Sequence, residues 1–456
     1  MIREYGKVIQ TYRGKGKVKF ANADELPCRV TIQQVETGLV LVSCIFTSAS
    51  DRAMALQHAS IDSVHGQAAD GLKFETRGQV LAAKWNHHIT DSSRRLVLTL
   101  IAREVALWPR GQVHASYYKF RVVNFEFIGN HPAKRIIANG TKQVEHFYRD
   151  LELKTPWGIA VADPVPDYDD VVHKIKAQKG ISVTCEVFAR PSLSMELAEV
   201  TSKLDELCRL FSLARGTKIT WINAEGYTED GHLHQVILKT SVTWPFSHFA
   251  VIDTRNPEDI AVFIQKAYPA YLELRKLYNL DVAIDLYLDA KRETAYLETR
   301  ALAAVVLLDF LQQRYASQHG FDQIIDDFGG QKGKEFRDRL RELILSFFSN
   351  IYDDNLKEML DKTPELNRRS YLNLLKLWTC HLGLKIPRHE LSRVRDTRHA
   401  LAHKGEFTSA DPREKLREYY RVTNIIDQAF LKLLNYDGYF IHVDTSTLSF
   451  DRKKLA

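Results

Sequence analysis

Apolar and polar residues alternate along the front of this chain, and the period changes further on. Cys28 to Val35, Leu39 to Thr47, Arg95 to Arg103 and Tyr117 to Ile128 are rich in β-branched and aromatic residues, and Gly38, Asp70-Gly71, Gly111 and Gly129 punctuate them. That pattern predicts short strands, and for residues 1–155 a β-sandwich or barrel-like module. A polar segment through Pro156, Pro164 and Pro166 reads as a linker. Residues 156–256 mix periods. Ile181 to Ala189 looks like a strand, and Ser192 to Arg215 like a helix with Leu197, Val200, Leu204, Leu207 and Phe211 on one face and a stop at Gly216. Two strand-like runs follow, Lys218 to Tyr227 and His232 to Trp244, which makes this an α+β module.

Past Pro257 the spacing becomes helical. Helices are predicted at 258–277, 281–290, 293–316, 335–349, 366–382, 388–404 and 411–434, followed by a short extended tail from Gly438 to Phe450. The run Ala301 to Leu311 is apolar nearly all round, which predicts the central helix of a bundle with one acid, Asp309, inside it. The fold class expected is therefore α+β multidomain: a β-rich module at 1–155, an α+β module at 156–256 and an all-α bundle at 257–456.

Composition narrows the function classes. The net charge of +6 permits a polyanionic partner without requiring one. Five cysteines are widely spaced with no CxxC pair, so neither a zinc knuckle nor a disulfide framework is indicated. The N-terminus lacks an apolar signal core and the longest apolar run is too short to span a bilayer. A reducing, cytoplasmic setting without a membrane partner is the expectation.

The segment Arg398-His399-Ala400-Leu401-Ala402-His403-Lys404 carries the most chemistry. At about 100° per residue, Leu391, Val394, Leu401 and Ala402 define an apolar stripe with Arg398 in its middle. A charge there needs a partner: a carboxylate, a second subunit or a substrate phosphate. Asp309 is the candidate carboxylate within the chain. Histidine moves protons near neutral pH, and guanidinium grips phosphate through paired hydrogen bonds, so the two together suit RNA cleavage without a metal. His399 and His403 share a face with Arg395, whereas Arg398 lies about 140° from His403 on an ideal helix. A two-fold axis would bring arginine from one chain to histidine from the other.

Arg398-His399-x3-His403 at the end of a late helix resembles the signature of HEPN domains, arginine followed by four to six residues and histidine. Asp309 is similar to the acidic position that many such domains carry on an earlier helix. The resemblance covers about residues 257–436. His399 departs from it, since asparagine is frequent there. The β-rich front, ending in Val123-Asn124-Phe125-Glu126-Phe127, resembles the arrangement of ApeA-type abortive-infection proteins. The resemblance implies a metal-independent endoribonuclease of an anti-phage defence or toxin system, acting on RNA (tRNA among the candidates), homodimeric through the helical domain, and needing no cofactor. It implies Arg398, His403 and His399 as catalytic, Asp309 as the brace of Arg398, and Arg395 and Lys404 as substrate contacts. The front modules would then sense a phage-derived or other protein trigger. The alternative is a non-catalytic HEPN-like scaffold that binds nucleotides, RNA or protein, with Arg398 paired to Asp309 for stability.

Other motifs are weaker. Gly329-Gly330-Gln331-Lys332-Gly333-Lys334 is one residue short of a phosphate loop and lacks its Ser or Thr. His389-Glu390-Leu391-Ser392-Arg393 has arginine where a zinc helix needs its second histidine. His87-His88 and His232-Leu233-His234 lack a third ligand, and the aromatics Tyr117, Tyr118, Phe120, Phe125 and Phe127 read as core. The cations Lys332, Lys334, Arg337, Arg339 and Arg341 form a solvated helix face or a track for RNA phosphates.

Overall fold

The computed structural model of the chain describes every residue except 1–6, 47–49, 91–92, 110–114, 129–130, 133–148, 179, 242–249, 325–327, 329, 349–352 and 456. Thr47, Gly111, Gly129, Trp244 and Gly329 lie outside the described residues, and the side chains of His87 and His88 are likewise not described.

The alternation at the front produces a closed ladder. Strand β1 (Val8–Phe20) pairs antiparallel with β2 (Leu26–Val35) and with β4 (Ile61–Ala68), β2 with β3 (Val40–Phe46), β4 with β5 (Lys73–Thr90), and β5 with β6 (Ser93–Trp108). The circle closes where β3 lies on β6, from Val40 opposite Ala102 to Phe46 opposite Leu96. A six-stranded barrel results, filled by residues such as Val18, Val30, Ile32, Val42, Leu98 and Leu100. Closure leaves none of these six strands as a free edge at the seam, which is how small β modules avoid edge pairing. Glycine permits the tight β1–β4 approach: a Cβ on Gly14 would sit 2.1 Å from the Gln67 carbonyl oxygen. Helix α1 (Ser50–Ala55) lies in the connection between β3 and β4.

Strand β6 outruns β3, and its far end, Glu104 to Leu107, pairs instead with Lys239 to Val236. There a second antiparallel run begins, whose members in chain order are β7 (Tyr117–Val123), β8 (His131–Pro132), β9 (Arg149–Thr155), β10 (Gly158–Pro164), β11 (Val183–Pro191), β12 (Thr220–Tyr227) and β13 (Leu233–Lys239). Their spatial order is β13-β12-β7-β11-β10-β9-β8. The line drawn at residue 155 therefore runs through one continuous sheet, because β12 from the expected middle module sits beside β7 from the first. The polar stretch through Pro156, Pro164 and Pro166 read as a linker holds β10, and helix α2 (Tyr168–Gln178) follows it. Helix α3 (Leu197–Arg215) buries Leu204, Leu207 and Phe211 against this sheet, with Phe211 stacked on Phe125 at 4.1 Å between ring centroids. Tyr118, Phe120, Phe125 and Phe127 are buried, and the intervening Lys119 and Arg121 both pair with Glu186, so the aromatic run is core.

The remaining helices are α4 (Pro257–Leu274), α5 (Leu280–Lys291), α6 (Leu297–His319), α7 (Gln331–Phe347), α8 (Asp353–Asp361), α9 (Tyr371–His381), α10 (Arg388–Lys404) and α11 (Pro412–Leu433), followed by the hairpin β14 (Tyr439–Val443) and β15 (Phe450–Lys454). The architecture is thus α+β, a barrel-containing β region followed by a helical region. The chain divides into two compact units: Met1–Pro269 with Lys291–Thr294 and Gly438–Ile441, and Ala270–Ala290 with Ala295–Asp437 and His442–Ala456.

In the second unit α6 packs on α9, α10 and α11. It is central in that sense but not apolar-buried all round: Leu302 and Val306 are 41% and 46% exposed. Among the described residues no helix is long and apolar enough to cross a membrane, and no cluster of three or more His, Cys, Asp or Glu side chains has the geometry to hold a metal ion. The five cysteines are free thiols, of which Cys380 alone is exposed.

Candidate functional site

Helix α10 ends where its sequence says it should. Gly405 takes the left-handed conformation (φ 71°) and its N–H caps the Leu401 carbonyl, a role that glycine fills without a Cβ penalty. The buried face is Leu391, Val394, Thr397, Ala400 and Leu401. Ala402, expected on the stripe, is exposed. The buried arc is turned toward Thr397 and Ala400, which places Arg398 at its margin rather than its middle. Glu418 of α11 fixes both ends of the segment: it accepts from the Thr397 hydroxyl at 3.1 Å, from the Thr408 N–H at 3.1 Å and from the Thr408 hydroxyl. This clamp was not read from the sequence, where Glu418 is one acid among many on an amphipathic helix.

The partner of Arg398 is the expected one. Its Nη2 and Nε donate to the same Asp309 oxygen, Oδ2, at 2.9 and 3.2 Å. The pair is partly buried, with side chains 30% and 22% exposed. The Asp309 hydrogen bond raises the Arg398 pKa further above its ordinary value, against the effect of burial. The guanidinium also lies 5.2 Å from the Tyr371 ring centroid, a cation–π distance. Burial pushes the Tyr371 hydroxyl pKa well up, and Asp309 adds to the rise. The second Asp309 oxygen, Oδ1, and the Tyr371 hydroxyl are both buried with no hydrogen-bond partner.

Arg398, Asp309 and Tyr371 line a cleft of about 950 Å³, to which α7 contributes Lys334 and Arg337. That size is within the usual range for ligand sites. The rest of its lining includes the successive residues Asn367, Arg368 and Arg369 and the α6 amides Gln312 and Gln313. A bridge between Gln323 and Arg368 and the Arg369 Nε bond to the Phe321 carbonyl (2.9 Å) hold that segment.

His399 and His403 are elsewhere. Both are exposed, their rings lie 4.5 Å apart at 52°, and neither lines the cleft. Arg395 is exposed and pairs with its neighbour Asp396 at 2.7 Å, and Lys404 is exposed in the last turn. One chain therefore brings Arg398 and Asp309 together, and His399 and His403 together, without joining the two pairs in one cleft.

A second imidazole group was missed. The Tyr278 hydroxyl meets His319 Nε2 at 3.1 Å, the Tyr315 hydroxyl meets His381 Nδ1 at 2.7 Å, and the two histidine rings lie 4.9 Å apart. The only signal was that His381 lies at the end of the helix predicted at 366–382; His319 lies beyond the end predicted at 316, and the observed α6 runs on to reach it. Burial, and then His381, lower the His319 pKa from its ordinary value of 6.5. Unfolded chains then take up that proton first, so stability is fully present above pH 6.5 and declines as the pH falls below it. The melting temperature is expected to drop between pH 7 and 5.5, and less so for His319→Gln. Parallel pH profiles for the two proteins, measured calorimetrically, would remove His319 as the cause.

No family model matches the chain, and neither a curated protein nor a solved structure matches it.

Proposed function

We propose that this chain is a metal-independent endoribonuclease resembling the HEPN domains, of the kind used in anti-phage defence or toxin systems. One observation carries the reading: a half-buried guanidinium, Arg398, oriented by Asp309 at the edge of a basic cleft, lies one and five residues before the two exposed imidazoles of the same helix, His399 and His403. In the proposed reaction an imidazole, His403 in the first instance, takes the 2′-hydroxyl proton. The new 2′-O–P bond forms as the P–O5′ bond breaks, and the leaving oxygen receives a proton. Arg398 stabilises the charge that builds on the non-bridging oxygens, with His399 as a second donor. The products are a 2′,3′-cyclic phosphate and a 5′-hydroxyl. DNA has no 2′-hydroxyl and resists. Arg395 and Lys404 flank the histidines as phosphate contacts, and a protein trigger acting on the β region is the proposed control.

The separation of Arg398 from His403 within one chain makes the proposed active form a homodimer. The Arg398 charge no longer argues for it, since Asp309 supplies the partner. The apolar exposure of α6 does: Leu302 and Val306 precede Asp309 at helical spacing on one face, so an uncovered apolar stripe runs up to the arginine pair. A second reading, binding without cleavage, is favoured by the same separation, because the cleft is complete around Arg398 without any histidine. The test is incubation of the pure full-length chain with total RNA in EDTA. Fragments ending in 2′,3′-cyclic phosphate are expected; intact RNA, under conditions where the chain binds it, selects the second reading.

A further inference from the structure

The cations of α7 read from sequence as a solvated face or a phosphate track, and neither accounts for the apolar side of the same helix. Of the residues of α7 only Gly333 and Ile344 are buried. Phe336, Leu343 and Phe347 are 42%, 54% and 75% exposed, and with the partly buried Leu340 they recur at helical spacing along one side. The stripe is about 16 Å long at the rise of an α-helix, and Phe348 just beyond it is exposed as well. A helix of this length has little stability of its own in water. An uncovered apolar stripe rimmed by polar residues marks a contact surface.

The order of charges around the helix selects the kind of surface that covers it. At about 100° per residue, the charges nearest the middle of the stripe are cations: Lys332 and Arg339 at roughly 50° and 70° on one side, Arg337 at roughly 90° on the other. The acids Glu335, Glu342 and Asp338 fall at roughly 110° to 170°, toward the far face, among Lys334, Arg341 and the outlying Leu345. All of these side chains are exposed. Long cationic side chains at the edge of an apolar stripe lay their stems along an apolar surface and carry their charge to a polar layer above it. A nucleic acid would use these cations and leave Phe336, Leu343 and Phe347 in water. A second copy on a two-fold axis would set the flank of Lys332 and Arg339 against its own equivalent, like charge on like. An anionic surface with an apolar interior satisfies the stripe and its flanks together.

We propose that α7 is a membrane-surface helix: Phe336, Leu340, Leu343 and Phe347 enter the headgroup boundary of an anionic bilayer, with Lys332, Arg339 and Arg337 on the lipid phosphates. Such a helix lies in the plane of the interface, so it needs neither the length nor the apolar content of a spanning one. It departs from the expectation, drawn from signal and spanning segments alone, of no membrane partner. The contact stands whether or not the chain cleaves RNA.

The test is co-sedimentation of the full chain with vesicles of phosphatidylcholine alone and of phosphatidylcholine with about one-third phosphatidylglycerol. The wild type is expected to bind the anionic vesicles at least about tenfold more tightly than the neutral ones, and to lose that preference at high salt. Leu343→Ser/Phe347→Ser should weaken binding by about 100-fold, roughly tenfold per side chain removed from the interface. Lys332→Gln/Arg339→Gln should weaken it by roughly 25-fold, about fivefold per charge, on the anionic vesicles only. The four side chains are exposed, so both double variants should melt like the wild type. The apolar variant should also cleave RNA as the wild type does in lipid-free solution, which separates this contact from the ribonuclease reading. No sedimentation with either vesicle at millimolar lipid overturns the proposal, and so does equal binding to both. Binding that the charge variant abolishes and the apolar variant leaves intact overturns it too, as adsorption by charge alone. A lipid-free oligomer that Leu343→Ser/Phe347→Ser dissociates in light scattering, without vesicle binding, would assign the stripe to a second copy instead.

Discussion

Replacing His403 with alanine is expected to lower the rate of RNA cleavage by roughly 100- to 10,000-fold, the usual contribution of a positioned acid or base, with no change in the melting curve. The imidazole is exposed and past the last buried residue of α10, Leu401, so its removal touches no packing, and surface changes of that kind stay within about 0.5 kcal/mol. The matching change at Arg398 has to be chosen with more care. Alanine there would strand Asp309, half-buried and already with one oxygen unpartnered, at a cost of roughly 1–3 kcal/mol. Arg398→Lys keeps a charge against Asp309 and over the Tyr371 ring but loses the planar fork. It should fold normally and lose about 100- to 1,000-fold in kcat, comparable to the removal of a preorganised donor. EDTA should leave the wild-type rate unchanged. A His403→Ala protein that cleaves at the wild-type rate removes that residue from the chemistry; an Arg398→Lys protein with unaltered kcat reduces Arg398 to a salt bridge.

What the sequence made legible follows from range. Periodicity and stop signals are local, and they located α10 to the residue, Arg388–Lys404 with Gly405 as its cap, and α4, α5, α6, α7 and α11 to within about a turn, whereas α1, α2 and α8 were not predicted. Where the local signal misled, a local cap explains it: α9 starts at Tyr371 rather than 366 because Ser370 accepts from the Asn373 N–H, and residues Thr363–Asn367 form a separate 3-10 turn. The Arg398–Asp309 pair was legible although 89 residues separate its members, because a charge on an apolar helix face demands an opposite charge and few were available. Strand order was not legible. Nothing in Thr220–Tyr227 or Leu233–Lys239 states that they insert between β6 and β7, since pairing partners are set by closure of the barrel and by the excess length of β6. The cleft was equally hidden. It is assembled from four helices and two turns, and its distinguishing feature is a pair of buried polar atoms without hydrogen-bond partners, Asp309 Oδ1 and the Tyr371 hydroxyl, which no spacing encodes.

Mixing two inactive proteins should restore activity. If Arg398 of one chain serves a phosphate attacked with help from His403 of the other, an Arg398→Lys chain and a His403→Ala chain form heterodimers with one site wholly wild type and one doubly defective. Equal amounts, allowed to exchange, give about half heterodimers, each with one of its two sites intact, hence about one quarter of wild-type activity. If both residues of a site come from one chain, every site in the mixture carries a defect and no activity returns. The exposed α6 stripe provides the control. Val306→Arg places a charge on that uncovered face, where unlike a core change it should leave the monomer folded, yet two like charges meeting across a two-fold axis oppose association. Introduced into both chains, it should abolish the restored activity and shift the protein to monomer in light scattering. Restoration that survives with only monomer present excludes a composite site. Failure to restore activity in a mixture shown by mass spectrometry to contain heterodimers places arginine and histidine in the same chain's site, which would require α10 to unwind near His403 on binding RNA.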